Sequence, residues 1–176
     1  MPGKTNLATF NCSLARALND VGDWWTLLII RDAFLGVRRF SEFRRSLGLA
    51  RNTLSDRLER LCAAGVMVRA GTPARPLYNL TEKGRALVPA LVALQQWGDQ
   101  FASKGSPPVV LMDQHSRPLP RVKLFDKDGV EVRPEDLRFT PGPGADARTR
   151  TRFRATEQTR KESSTLCAPV KSSPPV

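Results

Sequence analysis

A mainly α fold with a small β-hairpin, followed by a small β-rich C-terminal appendage and a disordered tail, is what this sequence predicts. Three observations carry the expectation. Two short amphipathic helices flank Gly48, the apolar period changes from helical to alternating after Gly65, and apolar anchors disappear beyond Pro141. The implied divisions are a flexible leader over 1–11, a principal domain over 12–104, an appendage over 107–140 and a disordered basic tail over 141–176.

In chain order, Leu14, Ala15 and Leu18 mark a short amphipathic helix over Cys12–Asn19. Gly22 punctuates. VGDWWTLLIIRDAFLG then reads as a helix that is apolar nearly all round and therefore calls for burial. Ser41 stands where a cap would start a helix running to Leu47, and Gly48 breaks it. A second helix over about 51–64 places Leu54, Leu58 and Leu61 on one face, which makes the pair a helix, tight turn, helix unit. Val66–Ala70 and Arg75–Leu80 alternate around Gly71-Thr72-Pro73-Ala74, the pattern of a hairpin. A hairpin directly after such a unit is the wing of a winged helix-turn-helix.

Thr81 is an N-cap signal with Glu82 in the first turn, opening a helix expected to reach about Ser103 and to bend at Pro89. Leu87, Leu91, Leu94 and Phe101, with Val88, Val92 and Trp97 beside them, give it a wide apolar stripe. The preceding helices already fill much of the core, so the stripe points to a homodimer interface that includes Leu87, Leu91, Leu94, Trp97 and Phe101. Beyond Gly105, the runs Val109–Met112, Arg121–Phe125 and Val130–Arg133, with the turn Asp126-Lys127-Asp128-Gly129, suggest two small hairpins.

Charge narrows the function. Lys and Arg number 28 against 17 Asp and Glu, a net charge of +11, which attracts phosphates or an anionic membrane surface. The longest apolar run, Trp24–Ile30, falls far short of the roughly 20 residues that span a bilayer, and the N-terminus lacks a secretory signal. A cytoplasmic protein is expected. Cys12, Cys62 and Cys167 fit neither a disulfide framework nor a metal knuckle, and Cys62 reads as a small core residue. His115 alone offers an imidazole, so neither a metal nor another cofactor is expected.

The basic residues of the helical pair and its approach, Arg31, Arg38, Arg39, Arg44, Arg45, Arg51, Arg57 and Arg60, are all arginine, the side chain with bidentate geometry for phosphate and guanine edges. The wheel turns Asn52, Thr53, Ser55, Asp56, Glu59 and Arg60 away from the leucines. Arg51, Asn52, Thr53 and Ser55, near the helix start, are the candidates for base edges. Arg57 suits phosphate, and Asp56 either accepts from cytosine or orients an arginine. Arg39, Ser41 and Arg44 on the first helix and Arg75 on the wing complete the candidate DNA surface, with Arg69 on the first strand. A palindromic double-stranded operator matches a two-fold dimer.

In order and spacing, CSLARALNDVGDWWTLLIIRDAFLG, RRFSEFRRSL, TLSDRLERLCAAGVM and YNLTEKGRALVPALVALQQWG resemble the HxlR-type winged-helix regulators, relatives of the MarR group. The resemblance implies a dimeric, DNA-binding transcriptional regulator whose first and last helices form the dimer, which adds Leu14 and Leu18 to the interface residues. Two positions depart from the family pattern: Ala50 replaces the usual Ser before the recognition helix, and Ser13 replaces the Pro after Cys12. Some members use that cysteine to sense oxidants or electrophiles, so the resemblance makes Cys12 a candidate redox sensor, alongside a structural thiol near the dimer seam. PEDLRFTPGPGA resembles the end of a ribbon-like appendage of such regulators, but Phe125 and Asp128 stand where its Cys-x-x-Cys would be. An oxidant or small-molecule effector stays open.

An enzyme is disfavoured, because GxSxG, Walker, HExxH and GxGxxG motifs are all missing. A less specific basic nucleic-acid-binding protein is the remaining alternative. Single-strand binding favours exposed aromatic platforms, whereas Trp24, Trp25 and Trp97 lie on apolar helices and Tyr78 is the only tyrosine.

Overall fold

A computed structural model describes residues 6–155; the expectations for 1–5 and 156–176, Cys167 included, lie outside the described residues. Helices α1 (Ser13–Val21), α2 (Trp24–Phe34), α3 (Phe40–Leu47) and α4 (Arg51–Ala63) lead into strands β1 (Met67–Thr72) and β2 (Arg75–Leu80). Then come α5 (Glu82–Arg85), α6 (Val88–Phe101), and the short strands β3 (Leu124–Phe125) and β4 (Glu131–Val132). This is the mainly α winged helix-turn-helix expected.

The core gathers Ile29 and Ile30 of α2, Phe43 of α3, Leu54, Leu58 and Leu61 of α4, and Val66 and Met67 at the root of the hairpin. The α4 leucines recur at helical spacing on one face, and each such side chain removed from water contributes roughly 1.5–3 kcal/mol. Asp23 starts α2 by accepting from the Trp25 and Thr26 amides at 3.1 and 3.4 Å. Although α2 is apolar nearly all round, only its Ile29 and Ile30 side is sealed. Trp24, Phe34 and Leu35 are exposed, so full burial was not met within one chain.

Ser41 is not the cap of α3. The helix begins two residues earlier, with Arg39 at the N-cap, and Glu42 Oε2 accepts from the Arg39 and Arg38 amides at 2.9 and 3.2 Å. A carboxylate three residues into the helix satisfies both orphan amides, which leaves Ser41 exposed in the first turn. Gly48 ends α3 with φ +65°, a left-handed conformation that favours glycine, and the chain re-enters α4 through Leu49 and Ala50. Ala50 supplies no capping side chain.

β1 and β2 pair antiparallel, Met67 with Leu80 through Thr72 with Arg75, around Pro73-Ala74. A third backbone segment joins them: Arg39 bridges Leu77, and Tyr78 N donates to Arg38 O at 2.9 Å. Thr81 caps α5 by accepting from the Gly84 amide at 3.2 Å, and its hydroxyl donates back to the Gly65 and Val66 carbonyls. Gly84 lies so close to the hairpin root that a Cβ there would sit 2.2 Å from Val66 O.

The long terminal helix is broken rather than bent. Pro89 has no amide hydrogen to give and its ring would press on the Arg85 carbonyl, so it occupies the first turn of a new helix, α6, after the short α5. The appendage contains one strand pair, β3 with β4, and an isolated bridge between Met112 and Pro118, in place of two full hairpins. Gln96 of α6 holds it from both sides, donating to Pro120 O at 2.9 Å and accepting from Val122 N at 2.8 Å.

Order extends further at both ends than the sequence suggested. Residues 147–155, expected within the disordered tail, are helical; Asp146 Oδ1 accepts from Thr149 N at 2.7 Å. In the leader, Asn6 caps a 3-10 turn over Leu7–Thr9, and Asn11 contacts Gly144 O, Asp146 N and the Thr149 hydroxyl. Side-chain caps supply the local order that apolar burial does not.

Candidate nucleic-acid interface

The outer face of the helix-turn-helix carries Arg51 and Asn52 exposed at the start of α4, with Thr53 and Ser55 half-buried beside them. Arg44 and Arg45 are exposed on the last turn of α3, where cations complement the helix dipole, and Arg75 is exposed at the hairpin turn. None of these arginines belongs to an ion pair among the described residues. Arg39 lies 3.7 Å from Glu42.

Between α4 and the hairpin runs a groove of about 580 Å³ whose lining includes Arg51, Ser55, Glu59, Cys62, Arg69 and Tyr78. Ser55 donates to Glu59 at 3.1 Å. Burial raises the Cys62 thiol above its ordinary pKa, with Arg69 opposing, which agrees with a packed residue beside Leu58 and Leu61. Cys12 stands half-buried at the N-cap of α1 with its thiol free.

Arg57 departs from its expected place on the phosphate surface. Its guanidinium is turned to Asp23, with Nε to Oδ1 at 3.0 Å and Nη2 to Oδ2 at 3.1 Å, and its side chain is only 19% exposed. Asp56 sits between two arginines, accepting from Arg57 Nη1 at 2.6 Å and Arg60 Nε at 3.0 Å, so it orients arginine neighbours. Arg60 remains exposed beyond it.

Sequence reasoning passed over Asp23, Lys83 and Asn79, which shape this face. Asp23 was legible as a cap, standing just before an apolar helix, but its hold on Arg57 spans 34 positions. Lys83 Nζ donates to Ala64 O at 2.7 Å, satisfying the C-terminal end of α4. Arg38 and Asn79 meet through Nη1 and Oδ1, joining the approach to α3 with β2.

Of the residues expected at a dimer interface, Leu14, Leu18, Leu94, Trp97 and Phe101 are exposed, the last three by 53, 59 and 61%. The Trp97 and Phe101 rings lie 5.5 Å apart on that surface. Leu87 and Leu91 instead pack against the chain's own core, because the break at Ala86 to Leu87 turns the start of α6 onto it. No helix among the described residues is long and apolar enough to cross a membrane, and no cluster there could hold a metal ion.

Residues 20–106 match the model of the HxlR-like helix-turn-helix family. The chain is 41% identical over 142 residues to the uncharacterized HTH-type transcriptional regulator Rv3095 of Mycobacterium tuberculosis, spanning 77% of this chain and 89% of the relative. It belongs to the HxlR-like helix-turn-helix family. The crystal structure of PA1607, described as a candidate transcription factor, superposes with a TM-score of 0.73 at 42% identity, covering 78% of this chain and all of that one. A second candidate transcription factor, PA1374 from Pseudomonas aeruginosa, gives 0.59 at 37% identity over 80% of this chain and 99% of its own. The alignment with Rv3095 is longer than the family match, so the likeness runs beyond the winged helix. Family and fold together are those of a helix-turn-helix transcriptional regulator.

Proposed function

We propose that this chain is a sequence-specific, double-stranded-DNA-binding transcriptional regulator that acts in the cytoplasm as a homodimer. Helix α4 enters the major groove, and the β1–β2 wing lies on the minor groove or backbone. The observation that carries this reading is the exposed, unpaired arginine edge formed by Arg44, Arg45, Arg51 and Arg75 around the start of α4. Arg51 suits a guanine edge, Asn52 an adenine edge and Thr53 a thymine methyl, with Ser55 hydrogen-bonding either. Arg39, Ser41, Arg44, Arg60 and Arg75 set the register on phosphates. Asp56 keeps Arg60 in place rather than reading a base.

The dimer reading is supported by the exposed apolar side chains Leu14, Leu18, Leu94, Trp97 and Phe101, with Trp24 exposed on α2 as well. Two copies related by a two-fold axis would address a palindromic operator. Selection of bound fragments from random duplex DNA by the purified protein tests the proposal. A recurrent palindromic sequence is expected, with binding that weakens steeply as salt rises. Arg51→Ala and Asn52→Ala should erode preference for that sequence and leave dimerisation intact. Equal affinity for duplex and single-stranded probes would overturn the proposal in favour of a general basic nucleic-acid binder.

A further inference from the structure

The start of α4 has no side-chain cap, yet the proposed function asks this end of the helix to present Arg51 and Asn52 in a fixed pose. Something else must fix the helix. Nearly two turns further on, Arg57 reaches across to Asp23, whose two carboxylate oxygens take Nε and Nη2 at 3.0 and 3.1 Å. The pair is half-buried, 19% and 27% exposed, in a fork geometry that allows little rotation of either plane. Asp23 is itself anchored, because the same Oδ1 caps α2 through Trp25 N and Thr26 N. A third nitrogen of Arg57 holds Asp56, which holds Arg60.

From this chain of contacts we infer that Asp23, at the N-cap of α2 and outside the proposed base-reading face, is a positioning residue for DNA recognition: through Arg57 it sets how α4 is presented to the groove. The inference rests on the proposed function. The geometry distinguishes the role from simple charge. Asp23 and Asp56 balance Arg57 and Arg60, so the array adds little net attraction for phosphate; what it supplies is orientation. Weakening it should therefore lower discrimination between sequences while sparing non-specific binding, which follows total charge.

Asp23→Asn is the informative variant, since asparagine caps helices as well as aspartate but cannot accept both guanidinium nitrogens. Affinity for the duplex selected by the wild-type protein should fall about tenfold, the scale of one lost base contact. Affinity for an unrelated duplex should hold or rise slightly, because the variant carries one more net positive charge. Arg57→Met, which keeps the apolar stem and loses the fork, should give the same loss. The double variant should be no worse than either single one, as members of one linkage are non-additive. Full-length protein is used throughout, with circular dichroism melts and sedimentation confirming fold and assembly. Unchanged discrimination in Asp23→Asn, or a parallel loss on both duplexes, overturns the positioning role alone. A wild-type protein that prefers no duplex overturns the proposed function, and this inference with it.

Discussion

Gly84→Ala decides between two opposed effects, and the geometry says which wins. Helix propensity favours alanine by about 1 kcal/mol. Against that, the new Cβ would lie 2.2 Å from Val66 O, 3.0 Å from Leu80 Cδ2 and 3.3 Å from Val66 C. Ordinary carbon contacts need about 3.5 Å, so α5 and the hairpin root must separate by more than an ångström. Val66 O cannot withdraw freely, because it accepts from both Thr81 N and Thr81 Oγ1 at 3.1 Å. Weakening those bonds costs roughly 1 kcal/mol each, and overpacking adds about 1–3 kcal/mol. The net is a loss of about 2–4 kcal/mol after the propensity gain is subtracted. Urea unfolding followed by circular dichroism, at fixed protein concentration, measures it. A variant as stable as the wild type, or more stable, would refute the close contact.

Three further outcomes follow from named contacts. Leu58→Ala removes a side chain with no exposure from the centre of the core and should cost about 2–5 kcal/mol in the same unfolding assay. Trp97→Ala combined with Phe101→Ala should shift the protein toward monomer in sedimentation while leaving its helix content intact, since both rings are exposed in the single chain. Glu42 is held below its ordinary pKa by the Arg39 amide first and the Arg38 amide next. A depressed folded pKa adds stability above the unfolded carboxylate value and loses it as pH falls through the folded one. Wild type should thus melt above Glu42→Gln at neutral pH, and the gap should close in acid; a constant gap would remove the charge from the capping role.

Local chemistry was the readable part of this chain. The spacing of Leu54, Leu58 and Leu61 predicted the buried face of α4, Gly48 its separation from α3, and Thr81 the start of α5, because each depends on residues within a turn or two of one another. Ser41 misled because two capping devices competed within four residues, and the Glu42 carboxylate took both amides. Pro89 was recognised as an interruption, but whether a proline bends a helix or begins one depends on how the preceding turn closes. That turn is anchored by Gly84 against Val66, across the hairpin.

From sequence alone came the order of elements, the arginine-rich outer face of the helix-turn-helix and the apolar excess of α6, all consequences of period, charge and local turn chemistry. Tertiary structure decided which arginines stay free. Arg51 and Arg57 stand six positions apart on one helix and look alike in the sequence, yet one is exposed and the other is forked onto Asp23. The same holds for the apolar stripe, where Leu91 joins the core and Trp97 does not. Ion pairing and burial depend on what the rest of the chain brings within a few ångströms, and no local pattern records that.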